Sequence, residues 1–232
     1  MERKQYLVKN TALFVLNVIG TRLISFLLVP LYTNAFTTLE YGTIDIIATI
    51  TTILVPVITI NIGEAVMRFA LDEDSNKNDI TSIAVFFLCL SLLLGTIVVP
   101  ILSFFPNITV SNKLVYVHCI SQGIYQTFSY NLRGQEKLFQ FAVGNILNVF
   151  LTAILNIFFL FILKIGISGY FYAYIISYII SAAYCFFVGN VLAAVKEFHI
   201  DKTLMKNMAK YSIVLVPNSF MWWIMNSSDH VM

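Results

Sequence analysis

Charged residues are scarce in this chain of 232 residues. Asp, Glu, Lys and Arg together make up 11% of it, whereas hydrophobic residues make up 59%. Because a soluble globular protein carries about 25% charged residues, this chain cannot cover a surface that faces water. The net charge is only +2, and there is no long basic run, which excludes an extended nucleic-acid-binding surface. The composition indicates an integral membrane protein.

Cysteine and histidine are also rare, with three residues of each. The cysteines lie inside apolar runs and show no CxxC spacing: Cys89, Cys119 and Cys185. Such cysteines are typical of small buried hydrophobic residues rather than of a redox or metal site. No histidine has neighbours that would complete a set of metal ligands. We therefore expect no metal ion, no cofactor and no enzymatic activity.

Long apolar runs separated by short polar breaks fill most of the chain. A helix needs about 20 residues to cross the roughly 30 Å of hydrocarbon in a bilayer. We therefore predict an all-α, polytopic transmembrane helix bundle with six complete spans and a seventh that runs to the end of the sequence. The predicted spans cover residues 7–32, 42–69, 80–104, 114–132, 138–163, 167–195 and 211–232.

The distribution of Lys and Arg predicts the orientation of these spans. Most of these residues lie at the N-terminus and in alternate loops: Arg3, Lys4, Lys9, Arg68, Lys77, Arg133, Lys137, Lys196, Lys202, Lys206 and Lys210. The other set of loops contains only Lys113 and Lys164. Because positive loops stay on the cytoplasmic side, the N-terminus is predicted to be cytoplasmic.

Polar residues recur on one face of most predicted spans at 100° per residue. The faces of the first, second, fourth, fifth and sixth spans are Asn17, Thr21 and Ser25; Asp45, Thr49, Thr52, Pro56, Thr59 and Gly63; His118, Gln122, Gln126, Ser129 and Arg133; Asn145, Asn148, Thr152 and Asn156; and Tyr170, Tyr174, Ser177 and Ser181. The third span has no such face and is predicted to be an outer helix exposed to lipid. Helix–helix seams would account for the small residues. The fourth and fifth spans carry more amide donors and acceptors than a tightly packed seam between helices can satisfy, which favours a hydrated cavity.

A few charged residues need separate explanations. Arg22 lies well past the middle of the first predicted span, and a guanidinium at that depth must face protein, water or an anion. It either pairs with Asp45 of the next span or forms a fixed cation that attracts a phosphate-bearing substrate. Arg133 lies at the predicted cytoplasmic edge, where the positive-inside rule also accounts for a cation. Glu64 and Arg68 have the i, i+4 spacing that predicts an intrahelical ion pair.

Several segments of the chain resemble the polysaccharide and O-antigen flippases of bacteria, members of the multidrug/oligosaccharidyl-lipid/polysaccharide exporter superfamily. The first hairpin carries RLISFLLVP at residues 22–30 and EYG at 40–42. GEAVMRF follows at residues 63–69, and NLRGQEKL at 131–138. Pro217, Trp222, Trp223 and Asp229 in the last predicted span look like the start of that family's second half. The resemblance runs along the whole chain.

This resemblance implies the first lobe of a two-lobe alternating-access transporter. Residues 1–195 would form a six-helix transmembrane lobe, residues 196–210 a basic cytoplasmic connector, and residues 211–232 the first helix of an incomplete second lobe. The connector is either a short amphipathic helix on the inner leaflet or a plain basic loop. The sequence would then be a fragment or the product of a truncated gene, with its second lobe missing in cis.

The resemblance also implies a function and a substrate. The family moves an undecaprenyl-pyrophosphate-linked oligosaccharide from the cytoplasmic to the outer leaflet of the bacterial inner membrane, for surface polysaccharides such as the O-antigen of lipopolysaccharide. A cationic cavity receives the pyrophosphate and sugar, while the lipid tail stays in the bilayer. The residues predicted to bind substrate are Arg22, Asp45, Gln122, Gln126, Arg133, Asn145 and Asn148.

Two alternatives remain open at this point. A drug or cation antiporter of the same superfamily would share the fold and favour acidic residues such as Asp45 and Glu64. A polyprenyl-linked membrane transferase would need a catalytic acid or histidine near an aqueous face, often with a metal or a large loop domain. The predicted loops are short, which disfavours the transferase.

Overall fold

The computed structural model describes residues 2–72, 75–100 and 110–229. Almost all of these residues are helical, and none of them lies in a β-strand. The predicted all-α class is therefore confirmed. The ends of the third and seventh predicted spans, residues 101–104 and 230–232, lie outside the described residues.

The described residues form nine α-helices in a bundle. These are α1 (Glu2–Ala35), α2 (Thr38–Ile58), α3 (Ile62–Ala70), α4 (Lys77–Val98), α5 (Asn112–Gly134), α6 (Leu138–Ile157), α7 (Ile167–Val188), α8 (Val191–Lys196) and α9 (Lys202–Asp229). A π-helical turn, Phe158–Ile162, extends α6. Helix α2 begins with a capping box, in which the Thr37 hydroxyl accepts from the Glu40 amide and the Glu40 carboxylate accepts from the Thr37 amide.

Five segments of the described chain are long and apolar enough to cross a membrane. They are Asn17–Ala35, Thr38–Ile58, Lys77–Val98, Leu138–Ile162 and Ile167–Val188. The fourth and seventh predicted spans form α5 and α9, but neither helix is among these five. The chain is therefore a multi-pass membrane protein, whereas the predicted six complete spans plus a seventh are not confirmed.

Helix α5 is polar because of its position in the bundle. It packs against α2, α3, α4, α6 and α7, and most of its residues are buried. Its 23 residues span roughly 34 Å at 1.5 Å per residue, which is enough to cross the hydrocarbon. A helix that is shielded from lipid by its neighbours does not need an apolar surface, so its low hydropathy does not count against a membrane location.

The second predicted span is broken in the structure. Helix α2 ends at Ile58, and the backbone φ angles of Ile60 and Asn61 are both 52°. Asparagine tolerates this left-handed conformation, but a β-branched residue such as Ile60 is strained there. The polar face predicted from Asp45 to Gly63 is therefore not continuous, because Gly63 belongs to α3.

Helix α4, predicted to be an outer helix exposed to lipid, is half-buried instead. It packs against α2, α3, α5, α8 and α9, and half of its apolar stretch is buried in the bundle. Small and hydroxyl residues such as Ser82, Ala84 and Ser91 lie on the packed side. Further along the helix, the side that carries Leu93 and Ile97 is exposed.

The two ends of the bundle are packed differently. At the end that contains Phe36 and the first turns of α5 and α7, called here the Phe36 end, one core cluster joins α1, α2, α5 and α7. Towards the opposite end, called the Lys137 end, the core divides into two clusters. One joins α3, α4 and α9, and the other joins α4, α5, α6, α7 and α8.

The predicted basic connector is folded against the bundle. The Asn78 amide nitrogen donates to the Glu197 carboxylate at 3.3 Å, and His199 lies 3.2 Å from the Asp79 carboxylate. Helix α9 begins at Lys202, and Met208 is fully buried in the core with α3 and α4. Residues 202–210 and the described part of the seventh predicted span, residues 211–229, thus form one continuous helix. The predicted division into lobes stays a prediction.

Candidate functional site

A polar cleft of about 250 Å³ lies among α1, α5, α6 and α7. Its lining residues are Thr21, Gln122, Tyr125, Gln126, Asn145, Asn148, Val149 and Tyr178. Four of the seven predicted binding residues are therefore brought together. Both Gln122 and Asn148 lie about 15 Å from the first residue of their helices at 1.5 Å per residue, which places the cleft near the middle of the bundle.

Hydrogen bonds within the cleft leave amide donors available. The Tyr125 hydroxyl donates to Oδ1 of Asn145 at 2.6 Å, and Ser129 lies 3.4 Å from the same oxygen. The free group of Asn145 is therefore its amide nitrogen. Nδ2 of Asn148 is buried and has no partner among the described residues. A buried donor without a partner costs about 1–3 kcal/mol, which a ligand or water acceptor in the cleft would recover.

The polar face of α6 serves two purposes. Its first part, Asn145 and Asn148, lines the cleft. Its second part is a buried seam with α7, in which the hydroxyls of Thr152 and Ser177 lie 2.7 Å apart. Asn156 is fully buried there and donates to the Thr152 carbonyl. The cavity and the seam expected from the sequence thus occur at different depths of the same helix.

A column of aromatic rings extends from the cleft to the Phe36 end. Tyr178 stacks on Tyr125 with ring centroids 5.7 Å apart, and Tyr174 and Tyr170 follow on successive turns of α7. At the Phe36 end, Tyr170 packs edge-on against Tyr32 of α1 at 5.3 Å.

His118, predicted on the polar face of α5, is buried within this column. Its ring lies 5.4 Å from Phe171, 5.9 Å from Tyr174 and 5.7 Å from Tyr178. It packs among aromatic rings and does not line the cleft.

Arg22 and Asp45 lie outside the lining of the cleft. Arg22 directly follows Thr21, which does line it, but the Arg22 side chain is exposed. Asp45 is exposed on α2, a helix that contributes no residue to the lining. Within the described residues no salt bridge joins Arg22 to Asp45. The structure therefore does not support the ion pair that the sequence left open.

Arg133 lies on α5 beyond the cleft, towards the Lys137 end. It is about 10 Å from Gln126 along the helix at 1.5 Å per residue. Its guanidinium carbon lies 5.9 Å from the centre of the Phe141 ring, within the range of a cation–π interaction. The side chain is half-buried. Arg133 is thus a half-buried cation between the cleft and the predicted cytoplasmic surface.

The ion pair predicted between Glu64 and Arg68 is replaced by another. Arg68 instead contacts Asp72 at 2.6 Å, and both side chains are more than half exposed. The hydrogen bond and the charge of Asp72 raise the pKa of Arg68 above its usual value. An exposed pair of this kind contributes little to stability. Neither Arg68 nor Asp72 lines the cleft.

Sequence reasoning missed the two tyrosines of the cleft, Tyr125 and Tyr178. Their signal was present, because Tyr125 follows Gln122 by three residues and Tyr178 follows Tyr174 by four. These are the spacings that place residues on one helical face. The prediction was based on amide and small polar residues. The tyrosines were left out because tyrosines within apolar runs are usually packing residues.

Among the described residues, no group of three or more His, Cys, Asp and Glu is arranged to hold a metal ion. The cleft lining in particular contains none of these residue types. The chemistry that the cleft offers is hydrogen bonding by amides and hydroxyls beside aromatic rings.

Comparison with known proteins adds a family match. The family model described as polysaccharide biosynthesis protein matches residues 7–232, which is nearly the whole chain and includes all four helices that form the cleft. No curated protein matches the chain significantly. No solved structure does so either.

Proposed function

The chain belongs to the polysaccharide biosynthesis protein family, and from that membership we propose that it moves a lipid-linked oligosaccharide across the bacterial inner membrane. The resemblance to the polysaccharide and O-antigen flippases is confirmed by the same match. The substrate would be an undecaprenyl-pyrophosphate-linked oligosaccharide, carried from the cytoplasmic to the outer leaflet for surface polysaccharide synthesis. Its lipid tail would remain in the bilayer.

The observation that carries this proposal is the uncharged polar cleft at mid-depth of an apolar bundle. Polar residues inside a membrane are costly and usually mark a substrate pathway. Amides and hydroxyls both donate and accept hydrogen bonds, as sugar hydroxyls do. The cleft, at about 250 Å³, is slightly smaller than the roughly 300–1,000 Å³ of pockets that enclose drug-sized ligands. It would hold part of a saccharide, with the rest towards the Lys137 end.

The predicted site residues divide into two roles. Gln122, Gln126, Asn145 and Asn148 would hydrogen-bond the sugar. Arg133, between the cleft and the predicted cytoplasmic surface, and Arg22, beside Thr21, would attract the pyrophosphate, because a guanidinium matches phosphate oxygens in charge and geometry. Asp45 stays a prediction without a contact to the cleft.

Transport would also need a second helical lobe. Alternating access is largely the rocking of one bundle against another around a central site. At the Phe36 end, Leu31, Tyr32 and Ala35 of α1 pack against the core cluster that includes residues of α2, α5 and α7. With that end outward, as the sequence predicts, this packing suits a lobe that is closed towards the outside.

The two alternatives gain no support from the cleft. A cation antiporter would need an acidic residue in its binding site, and a membrane transferase would need a catalytic acid or histidine. Neither residue type occurs in the described lining of the cleft.

Export of surface polymer tests the proposal. The gene is deleted from its host and replaced, at full length, by Gln126→Leu or Asn148→Leu, which keep the side-chain size and remove the amide. We expect export to fall at least about tenfold and lipid-linked oligosaccharide to accumulate in the inner leaflet. The matched control is Asn218→Leu, an exposed asparagine on α9, which should export normally. Normal export by both cleft variants would contradict the sugar-binding role.

Arg22→Ala tests the pyrophosphate role separately. Unchanged export by this variant would remove Arg22 from the anion site and leave Arg133 as the remaining candidate. Arg133→Gln, compared with Arg133→Lys, would then show whether a cation at this position is required.

A further inference from the structure

The described lining of the cleft is predominantly polar but contains no charged residue. It consists of four amide side chains, two tyrosines, a threonine and a valine: Gln122, Gln126, Asn145, Asn148, Tyr125, Tyr178, Thr21 and Val149. From this lining we infer that the cleft selects an uncharged glycosyl unit and discriminates against an acidic one. The inference rests on the proposed function and adds the class of sugar that the protein carries.

The first argument is the energetic cost of a buried charge. A carboxylate that leaves water for a site without a cation pays a large desolvation penalty. Arg133 is about 10 Å from Gln126 along α5, and Arg22 is exposed rather than part of the lining. Both cations are engaged, in the proposed function, by the pyrophosphate. An acidic sugar in the cleft would therefore have no countercharge of its own.

The second argument is the mixture of donors and acceptors. Asn145 presents its amide nitrogen, because Tyr125 occupies its oxygen at 2.6 Å. Asn148 has a buried amide nitrogen without a partner. Gln122 and Gln126 each add both a donor and an acceptor. A sugar hydroxyl donates and accepts, so it can satisfy both kinds of group. A carboxylate only accepts, so the carboxylate position of an acidic sugar cannot donate to a glutamine oxygen, whereas the hydroxyl of a neutral sugar at that position can.

The third argument is the aromatic wall. Tyr125 and Tyr178 both line the cleft, and their rings stack with an interplanar angle of 25°. The C–H faces of a pyranose ring are apolar and can pack against such rings. A pyranose ring therefore matches the cleft with both its C–H faces and its hydroxyls, which supports a glycosyl unit as the group that enters it.

A set of three probes tests the inference on the full chain in lipid nanodiscs. All share a short polyprenyl pyrophosphate. One ends in a glucosyl unit, the second in the corresponding glucuronosyl unit, which differs only at C6, and the third has no sugar. We expect the glucosyl probe to bind at least about tenfold more tightly than the glucuronosyl probe. The sugar-free probe should bind more weakly than the glucosyl one.

The outcomes separate this inference from the proposed function. Equal affinity for all three probes, or a preference for the glucuronosyl probe, would overturn the inference and leave pyrophosphate binding intact. Failure of all three to bind would overturn the proposed function itself. Because the comparison uses the unaltered protein, it does not depend on the folding of a variant.

A charge variant provides a second test. Gln126→Arg places a cation in the lining and should reduce or reverse the preference for the glucosyl probe. Gln140→Arg adds the same charge on α6 outside the lining and should leave the preference unchanged. An unchanged preference in Gln126→Arg, or an equal change in both variants, would contradict selection by the cleft.

Discussion

The Tyr125 hydroxyl donates a hydrogen bond of 2.6 Å to the amide oxygen of Asn145, so a tyrosine that the sequence analysis passed over orients an asparagine that it singled out. Tyr125→Phe should remove this constraint and allow the Asn145 amide to rotate. Because one hydrogen bond contributes about 0.5–1.5 kcal/mol, we expect a three- to tenfold loss in affinity for a lipid-linked saccharide, measured by titration in nanodiscs. Tyr116→Phe is the matched control, because its hydroxyl donates to the Leu92 carbonyl, away from the cleft. An equal loss in both variants would point to a general packing effect.

Close packing between α3 and α5 leads to a prediction about stability. A Cβ atom at Gly134 would lie 2.7 Å from the Ala70 Cβ and 3.3 Å from the backbone of Met67 and Val66. Backbone atoms cannot move aside easily, so Gly134→Ala should lower the free energy of unfolding by about 1–3 kcal/mol. Thermal unfolding of the purified protein in detergent measures this.

Gly42→Ala is the control for that substitution. A Cβ atom at Gly42 meets nothing within 4 Å, and alanine is favoured over glycine in a helix by about 0.5–1 kcal/mol. Gly42→Ala should therefore be neutral or stabilising. If Gly134→Ala unfolded at the same temperature as Gly42→Ala, this would contradict the close packing of α3 against α5 at Gly134.

The loop between α5 and α6 holds the end of α7. Lys137 Nζ donates to the Val188 carbonyl at 2.9 Å, and Gln135 Nε2 donates to the Gly189 carbonyl at 3.0 Å. A hydrogen bond to a charged group contributes about 1.5–3 kcal/mol, and 1.4 kcal/mol corresponds to a factor of ten. Lys137→Met should therefore increase amide hydrogen exchange in residues 185–190 about tenfold. Lys206→Met, at an exposed position of α9, should leave exchange in that segment unchanged. Retained protection in Lys137→Met would mean that Lys137 serves membrane topology alone.

The sequence predicts which residues of this site share one face of a helix, but not which helical faces pack together. The 3.6-residue period places Gln122 with Gln126, and Asn145 with Asn148, on single helical faces. A period cannot show which faces meet. It therefore did not separate Asn148, in the cleft, from Asn156, which is fully buried in the seam between α6 and α7.

Two misjudgements in the fold have local physical causes. An apolar run does not reveal a left-handed backbone, so the break at Ile60 and Asn61 was missed although Pro56 lies one turn earlier. The lipid exposure predicted for α4 was wrong because an apolar surface suits both lipid and a protein core. Residues such as Ser82 and Ser91, which are buried in α4, are the weak signal of a packed side.

Opposite ends of the bundle should lie on opposite sides of the membrane, with the Phe36 end outward. Lys113, at the start of α5, and Lys77, at the start of α4, are both exposed, so each can be replaced by cysteine with the same change in charge. A maleimide that cannot cross membranes should label Lys113→Cys in intact cells, and label Lys77→Cys only after permeabilisation.

The native cysteines should give little background in this experiment. Cys119 and Cys185 are buried. Cys89, although exposed, lies about 18 Å along α4 from Lys77 at 1.5 Å per residue, which is within the apolar stretch and out of reach of an aqueous reagent.

The opposite labelling pattern would invert the predicted topology and move Arg133 to the outer side, where it could not receive a pyrophosphate from the cytoplasm. Labelling of both positions in intact cells would show that α4 does not cross the membrane.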